Sequence, residues 1–439
     1  MDWRQLPNII GMSLLAAAFA SVLHRSGRSG PALWLVGWLL IILHFIGMLM
    51  TPLAGWGGTV AQVVAWTALA WAGLFFMSDS IPYRHNKNSR LMSGSLSTIF
   101  AIYIIVLFLP GRPLWLLNLA ALLFALVPFT IAALVWKHFR HPLRIYTVLI
   151  HVALTIFLLS FQGRPETGDT VALSAVLFTT YFNCSVLFIY AHRRLSAGSM
   201  ITIAGFFFWA AVFLLAPLMQ IYFPSLRLES EVWNLPKYVV AVGMILVLLE
   251  HQIEHNRFLA LHDELTTLPN RRLFQDRLLG AIERALRTHH KMALLLIDLD
   301  HFKEVNDTLG HHVGDQVLKS ISALFQSRVR RSDTIARTGG DEFSLILESP
   351  TGRDDAEDVV ASLMALVDEP LQIGKHRLHV GFSIGIAMYP EDGDNIVDLC
   401  ISADKRMYQV KRNQNDPTQG LEPLSPLFAV DEPELLGPM

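Results

Sequence analysis

Two adjacent acidic residues lie at the start of a predicted buried strand, where burial of a charged carboxylate costs free energy unless a partner compensates it. Asp341 and Glu342 follow two glycines and precede an apolar run, 343–347, that is typical of a buried strand. The simplest interpretation is a β-hairpin in which the glycines supply positive φ. A second interpretation is chemical, because carboxylates at the end of a strand can bind a cation.

A second acidic pair favours the chemical interpretation. Asp298 and Asp300 close another apolar run, 291–300. If the two strands are neighbours, three carboxylates meet at one edge of a sheet and repel one another unless a cation joins them. Mg²⁺ commonly binds one or two carboxylates together with substrate phosphates, and glycines let a nucleotide approach the backbone. The residues therefore predict a Mg²⁺–nucleoside triphosphate site for phosphoryl or nucleotidyl transfer.

The elements around these acids predict an α+β domain. Strands at 291–300, within 333–349 and at 378–390 alternate with helical patterns at 268–288, 313–330, 352–370 and 394–413. The order βαββαβ predicts an antiparallel sheet with helices on one face. The segment 301–315 is rich in turn residues, so we predict a connection that offers backbone N–H groups and Lys303 to phosphates.

Composition divides the chain. Residues 1–250 hold seven of the 37 acidic residues, and the mean hydropathy of all 439 residues is +0.41. We therefore predict an all-α, multi-span membrane region (1–250), a helical linker (251–262), the α+β domain (263–416) and a disordered, proline-rich tail (417–439). The net charge of −2 gives no sign of a nucleic-acid partner. The two cysteines indicate neither a disulfide framework nor a zinc site.

Nine apolar segments have roughly the length that crosses a bilayer as a helix. The connections after odd-numbered spans carry ten Lys or Arg residues, whereas those after even-numbered spans carry four: Arg112, Arg164, Arg227 and Lys237. The positive-inside rule then predicts an external N-terminus and a cytoplasmic chain from residue 251 onward. The predicted spans lie near 7–23, 32–54, 58–77, 95–110, 114–136, 145–161, 170–191, 199–223 and 236–250.

Two features of the membrane region leave alternatives open. His44 and His151 lie inside predicted spans, where a haem or metal site is conceivable. Without paired ligand spacing we favour neutral imidazoles bonded to carbonyl groups. The last span continues without Gly or Pro from Ile245 to Thr267, and a short a/d spacing near Leu249 fits a parallel dimeric stalk and a solvated helix equally well.

Four motifs within residues 262–416 occur together. They are "HDELTTLPNRRLF", "IDLDHFKEVNDTLGHHVGD", "GGDEF" and "SIGIA". In this order and at this spacing they resemble the GGDEF domain, the catalytic module of diguanylate cyclases, whose sheet is similar to that of nucleotide cyclases and polymerase palms. The resemblance implies a bacterial inner-membrane enzyme that joins two GTP into cyclic di-GMP as a homodimer, with the GGDEF domain in the cytoplasm.

The resemblance implies roles for the acids. Asp298 and Asp341 match metal-binding carboxylates, and Leu299 matches a position that coordinates through its carbonyl group. Glu342 matches the second signature acid, close to metal and phosphate. The implied ion is Mg²⁺, with Mn²⁺ as an alternative and at most two ions per half-site. Asp341 or Glu342 would accept the proton of the attacking hydroxyl group.

The resemblance also implies a substrate site. Asn306 and Asp315 match the residues that read guanine, which suits an amide and a carboxylate. The remaining matches are Phe302 and Lys303 in a phosphate-cradling turn, Gly339 and Gly340 in the signature, and Lys411 as a triphosphate-binding lysine. Gln414 and Asn415 stand where the family commonly has Gly and Arg, with Arg412 nearby.

A possible regulatory site precedes the signature. Arg330 and Asp333 form an R-x-x-D pattern, with five residues between Asp333 and Gly339. The resemblance implies an inhibitory site for the product, since a guanidinium and a carboxylate can bind phosphate and guanine. The alternative is an exposed arginine at a helix end beside a capping aspartate.

Three functional classes follow from these observations. The first is a membrane-bound diguanylate cyclase with product feedback, whose partners are GTP, cyclic di-GMP, the lipid bilayer and a second copy of the chain. The second is an inactive GGDEF receptor for GTP or cyclic di-GMP. The third is a transporter or channel regulated by the soluble domain, although no broken-helix pair is evident in the sequence.

Overall fold

The structure, a computed structural model, describes residues 1–26, 32–78, 87–134, 141–162, 164, 168–192, 195–223, 230–366 and 369–414. The chain forms two compact units. One unit comprises Met1–Glu254 and the other begins at His255. The tail from 417 to 439, predicted to be disordered, lies outside the described residues.

The first unit is helical, and each of the nine predicted spans coincides with a helix. Helices α1, α2, α3, α7, α8 and α9 contain stretches long and apolar enough to cross a membrane, whereas the described apolar stretches of α4, α5 and α6 are shorter. The helices are α1 (Leu6–Ser26), α2 (Ala32–Met50), α3 (Trp56–Ser78), α4 (Lys87–Phe108), α5 (Leu114–Leu134), α6 (His141–Phe161), α7 (Gly168–Ala191), α8 (Ala197–Tyr222) and α9 (Ser230–Leu261).

The assignment of Lys237 to a connection was wrong. Helix α9 begins at Ser230, so Lys237 lies inside it and is buried. Its ammonium group donates a hydrogen bond to Asn234 Oδ1 at 2.5 Å and lies 4.6 Å from the ring centroid of Phe45. An amide and an aromatic face compensate the cation, which lets it stay within an apolar helix. By the same helix bounds Arg25, Lys87, Arg90 and Arg144 lie inside helices, so six bases remain in the odd-numbered connections and three in the even-numbered ones.

The histidines of this unit fit the neutral interpretation. His44 is buried, and its Nδ1 lies 3.0 Å from the carbonyl oxygen of Ala65, so Nδ1 carries the proton. His151 is buried on α6. Among the described residues, no three His, Cys, Asp or Glu side chains come together in a way that could hold a metal ion.

The second unit is the predicted α+β fold. Its four-stranded sheet has the order β2–β3–β1–β6 and is antiparallel throughout, and β4 and β5 form a separate hairpin. The elements are α10 (Arg271–Thr288), β1 (Met292–Leu299), α11 (Phe302–Leu309), α12 (His311–Arg328), β2 (Thr334–Arg337), β3 (Glu342–Glu348), α13 (Arg353–Met364), β4 (Leu371–Ile373), β5 (His376–Leu378), β6 (Phe382–Tyr389) and α14 (Ile396–Gln414).

Helices cover both faces of this sheet, so the prediction of one covered face was wrong. On one face α10 and α14 contribute Phe274 and Leu399 to the core, and on the other α12 contributes Phe325. All eight residues of β1 are buried. The uninterrupted apolar run of β1, without polar alternation, is typical of a strand that is covered on both sides.

The segment 301–315 is more ordered than predicted. It contains all of α11 and the start of α12, separated by Gly310 at a φ of +86°. Such a φ is costly for a residue with a Cβ. A single glycine therefore joins two helices soon after the end of β1, where we predicted a turn-rich connection.

Candidate active site

The sheet register brings the predicted acids together. Strands β1 and β3 are antiparallel neighbours, and Asp298 lies opposite Glu342. The Leu299 N–H donates a hydrogen bond to the Asp341 carbonyl oxygen at 3.2 Å. The expectation that the signature hairpin lies beside the strand of Asp298 is thus confirmed, and the carboxylates share one edge of the sheet.

The proximity of these carboxylates perturbs their titration. Burial raises the pKa of Glu342 above its ordinary value, and the negative charges of Asp298 and Asp341 raise it further. For Asp298, burial is again the largest cause of a raised pKa; Lys411 opposes it, and Asp341 adds to it. Asp298 and Glu342 therefore resist ionisation in the folded protein, because they are removed from water and lie beside like charges.

Lys411 supplies the nearest positive charge. It lies on α14, and its ammonium group donates a hydrogen bond to Asp298 Oδ1 at 2.5 Å. Burial alone would lower the pKa of Lys411, but the bond to Asp298 and the charges around it raise the pKa above its ordinary value. The lysine therefore stays charged beside the carboxylates, although the sequence predicted it as a ligand of phosphate.

The signature glycines do not have the backbone conformation that the hairpin interpretation predicts. Neither Gly339 nor Gly340 is among the residues with positive φ, so that expectation was wrong. A Cβ on Gly339 would lie 2.4 Å from Glu342 Oε2, and a Cβ on Gly340 would meet no atom within 4 Å. Gly339 therefore makes room for the Glu342 side chain, and Gly340 leaves open space at the edge of the sheet.

An arginine fixes the hairpin that carries the acids. Arg337 donates two hydrogen bonds to the carbonyl oxygen of Gly340, at 3.1 and 2.7 Å, and a third to Asp263 Oδ1 at 2.9 Å. Asp263 also accepts hydrogen bonds from the backbone and hydroxyl group of Thr266. The segment that follows α9 is thereby bonded to the signature hairpin.

Sequence reasoning did not single out Arg337 or Asp263. A usable signal was present, because both lie inside quoted motifs, "HDELTT" and "ARTGGDEF", that are far apart in the chain. A partnership between them needs the pairing of β2 with β3 and the turn after His262, neither of which a spacing rule provides.

The predicted guanine residues lie on the two helices that follow β1. Asn306 is on α11, and its Oδ1 would be 2.0 Å from a Cβ on Gly314 of α12. Asp315 follows Gly314 on α12, and its side chain is exposed. Phe302 is buried against the same helix pair, whereas Lys303 is exposed. Gly314 therefore lets the Asn306 amide pack against the start of α12, beside Asp315.

The R-x-x-D residues form a turn at the start of β2. The Asp333 N–H donates to the Arg330 carbonyl oxygen at 3.0 Å, and Asp333 Oδ1 accepts the backbone N–H of Glu348 at 3.0 Å. Arg330 is exposed. Asp333 thus holds the edge strand β2 against β3, while the Arg330 side chain faces solvent.

The donor set fits a hard divalent cation. Carboxylate oxygens are the ligands that Mg²⁺ takes, and the mutual repulsion of Asp298, Asp341 and Glu342 would be relieved by such an ion. The three do not converge as a complete protein cage within the described residues. An ion bound there would need water molecules or substrate phosphates among its ligands, as Mg²⁺ commonly has.

Comparison with known proteins gives the same assignment for this unit. Residues 260–417 match the family described as diguanylate cyclase, GGDEF domain. The bifunctional diguanylate cyclase/cyclic di-GMP phosphodiesterase MucR of Pseudomonas aeruginosa is 42% identical over 188 residues, which are 39% of this chain and 27% of that protein. The diguanylate cyclase TpbB of Pseudomonas aeruginosa is 37% identical over 175 residues, 40% of each chain.

A solved structure of the isolated GGDEF domain of TpbB is 40% identical, and the match covers 35% of this chain and 89% of that one, with a TM-score of 0.34. The chain spans less than half the length of the two full-length relatives, so the similarity concerns this unit. Residues 260–417 are a GGDEF domain of the family that includes the diguanylate cyclases.

Proposed function

We propose that the protein is a membrane-bound diguanylate cyclase that converts two GTP into cyclic di-GMP and two pyrophosphates. The observation that carries the proposal is the position of Asp298 opposite Glu342, with Asp341 beside them and Lys411 bonded to Asp298. The resemblance to the GGDEF family implies that the cyclase activity requires these residues, and they lie together where β1 ends and β3 begins.

The residues divide the work of nucleotidyl transfer. Asp298, the Leu299 carbonyl group, Asp341 and Glu342 would hold Mg²⁺ or Mn²⁺, which supplies Lewis acidity toward the phosphates and lowers the pKa of the attacking 3′-hydroxyl group. Asp341 or Glu342 accepts the proton from that hydroxyl group, and the burial that raises the pKa of Glu342 suits that residue to the role.

Recognition and positioning complete the reaction. Asn306 and Asp315 bind the guanine edge, the turn of Phe302 and Lys303 and the glycines Gly339 and Gly340 accommodate the phosphates, and Lys411 neutralises charge on the triphosphate. Each chain holds one GTP, so a homodimer must bring two sites face to face. Orientation of the two nucleotides then supplies much of the rate.

Incubation of the purified full chain with GTP and Mg²⁺, followed by identification of the product, tests this proposal. Cyclic di-GMP and pyrophosphate in a 1:2 ratio are expected. The alternative is a receptor without catalysis, favoured by Gln414 and Asn415 in place of Gly and Arg; binding of GTP or cyclic di-GMP with no turnover would decide for it.

The membrane location is a separate part of the proposal. All nine long helices that the structure describes in the first unit, six of them long and apolar enough by themselves to cross a membrane, support a multi-span protein of the bacterial inner membrane. The charge asymmetry between connections supports an external N-terminus. A reporter fused after Glu231 should read external, and one fused after Asn256 should read cytoplasmic. Two reporters on the same side would remove α9 from the set of spans.

A further inference from the structure

An apolar cavity lies among three helices of the membrane unit. Its volume is about 550 Å³, and it is bounded by α6, α7 and α8. Aromatic side chains form much of the wall: Phe157 and Phe161 of α6, Phe178 of α7 and Phe213 of α8. Thr179, one of two hydroxyl residues in the lining, donates its hydroxyl hydrogen to the Ala175 carbonyl group at 2.8 Å. The cavity therefore offers almost no polar partner to an occupant.

The cavity is a groove that runs along the helices and is open at its side, because Phe157, Leu214 and Leu218 of its lining are exposed. Along α6 the lining extends from Ile150 to Phe161, eleven residue steps or about 16 Å, and Phe161 is the last residue of that helix. Val171 lies near the start of α7, and Leu218 lies near the end of α8. One end of the cavity is thus at the helix termini. Its other end is deep in the apolar part of the unit.

The side chain of Arg164 places a positive charge at the end of the cavity that lies at the helix termini. The Arg164 guanidinium carbon lies 4.4 Å from the ring centroid of Phe161, three residues beyond the end of α6. Arg164 is exposed, and within the described part of the chain it forms no ion pair with an acidic side chain. Arg112, in the preceding even-numbered connection, pairs instead with Asp169. Arg164 therefore presents its guanidinium group beside Phe161, at the end of the apolar cavity.

This combination has one matching chemistry, an amphiphile with a single anionic head. We propose that the cavity binds a long-chain fatty acid, with its hydrocarbon chain among α6, α7 and α8 and its carboxylate on the Arg164 guanidinium. A planar carboxylate accepts two parallel hydrogen bonds from a guanidinium group. The length of about 16 Å and the single cation suit one chain with one charge, rather than the two chains of a phospholipid.

The selectivity of the cavity for a fatty acid over the surrounding lipids must come from the carboxylate head group of the fatty acid. A hydrocarbon chain gains little by leaving lipid for an apolar cavity, because the two surroundings are equally apolar. The carboxylate–guanidinium contact separates a fatty acid from the surrounding lipid chains. Replacement of Arg164 is therefore the decisive change, and its exposed position means that the fold should tolerate it.

The test uses the full chain in phosphatidylcholine nanodiscs and myristate that carries a photoreactive diazirine in mid-chain. Labelling of α6, α7 and α8 should saturate and should be displaced by unlabelled myristate. Arg164→Gln should raise the concentration of photoreactive myristate that gives half-maximal labelling by at least tenfold. Arg4→Gln, at another exposed arginine, should leave this concentration unchanged. Ala175→Trp should fill the cavity and abolish labelling, whereas Ile189→Trp on an exposed part of α7 should not.

Each other outcome overturns the proposal. Labelling that does not saturate, or that spreads evenly over exposed apolar residues, describes ordinary contact with lipid. Labelling that Arg164→Gln leaves unchanged removes the carboxylate site, whatever Ala175→Trp does to the fold. Diazirine-labelled phosphatidylcholine that marks the same residues, with the same dependence on Arg164, identifies a phospholipid as the occupant. None of these readouts depends on turnover of GTP.

Discussion

In the membrane unit, the described buried or capping charges have a complementary group at hand. Lys237 is bonded to Asn234 and faces an aromatic ring, and Glu250 accepts hydrogen bonds from Ser196 and the Gly198 N–H at the start of α8. In the second unit, Asp298 is buried and Glu342 is half-buried, both lie beside like charges, and their pKa values rise. Matched charge stabilises a fold, whereas clustered like charge is retained where a ligand supplies the missing partner.

Substitution of the signature acids is the most direct test of this contrast between compensated charges and clustered like charges. Asp341→Asn or Glu342→Gln should lower the rate of cyclic di-GMP formation by at least about 10²-fold, since each removes a candidate metal ligand and proton acceptor. The measurement is initial rate at saturating GTP and Mg²⁺. Asp276→Asn, at an exposed acid on α10, is the matched control. Turnover close to that of the unaltered protein in either variant would mean that the clustered acids are structural.

The second prediction concerns Arg330, an exposed charge of the catalytic unit. Arg330→Ala should raise the cyclic di-GMP concentration required for inhibition by roughly ten- to hundredfold, because a charge-assisted contact contributes about 1.5–3 kcal/mol. The initial rate should hardly change, since Arg330 lies on the turn before β2 and away from the acidic edge. Progress curves with added product provide the measurement, and Arg331→Ala is the control.

Equal inhibition of the Arg330 variant and the unaltered protein would assign the R-x-x-D turn to the fold alone. Asp333 is a poor choice for this test, because its carboxylate holds Glu348 and its loss would loosen β2.

Sequence reasoning succeeded where a motif and a strand coincide. The acids at 298, 341 and 342 could be placed together because each lies at the end of an apolar run that predicts a strand, although the pairing of β1 with β3 joins segments far apart in the chain. Sequence reasoning failed for features that depend on which other helices or strands pack against a given element. Lys237 was assigned to a connection because its compensation by Phe45 and Asn234 involves another helix and an earlier turn. Helices on both faces of the sheet were missed although the apolar run of β1 indicated them.

The third prediction tests how the hairpin is held. Arg337→Met should lower the free energy of unfolding of the catalytic unit by about 1.5–3 kcal/mol and turnover by roughly tenfold, since it removes three hydrogen bonds that position Asp341 and Glu342. Denaturant unfolding and initial rates provide the two readouts, with Arg287→Met, on an exposed site of α10, as the control.

A double-mutant cycle separates the two partners of Arg337. Asp263→Asn combined with Arg337→Met should cost less than the sum of the single changes, because both remove the same ion pair. Strict additivity would show that Asp263 acts through Thr266 and leaves the hairpin unaffected.

The smallest expected effect is on stability and follows from the raised pKa of Glu342. A carboxyl group whose pKa is higher in the folded protein than in the unfolded chain destabilises the fold when both are ionised, and this cost disappears as pH falls below the unfolded value of 4.5. Glu342→Gln should therefore stabilise the protein at pH 7–8 without divalent cations, by at most about 1 kcal/mol for a half-buried group.

The gain of this variant should vanish near pH 4, where the carboxyl group is neutral in both states. Thermal unfolding in chelator across this pH range measures it, and Glu357→Gln, at an exposed acid of α13, should show no such trend. Mg²⁺ should reverse the order, because it stabilises the form that binds it. A variant that is less stable at every pH would mean that Glu342 is matched within the fold, like the charges of the membrane unit, and that the cluster needs no ligand.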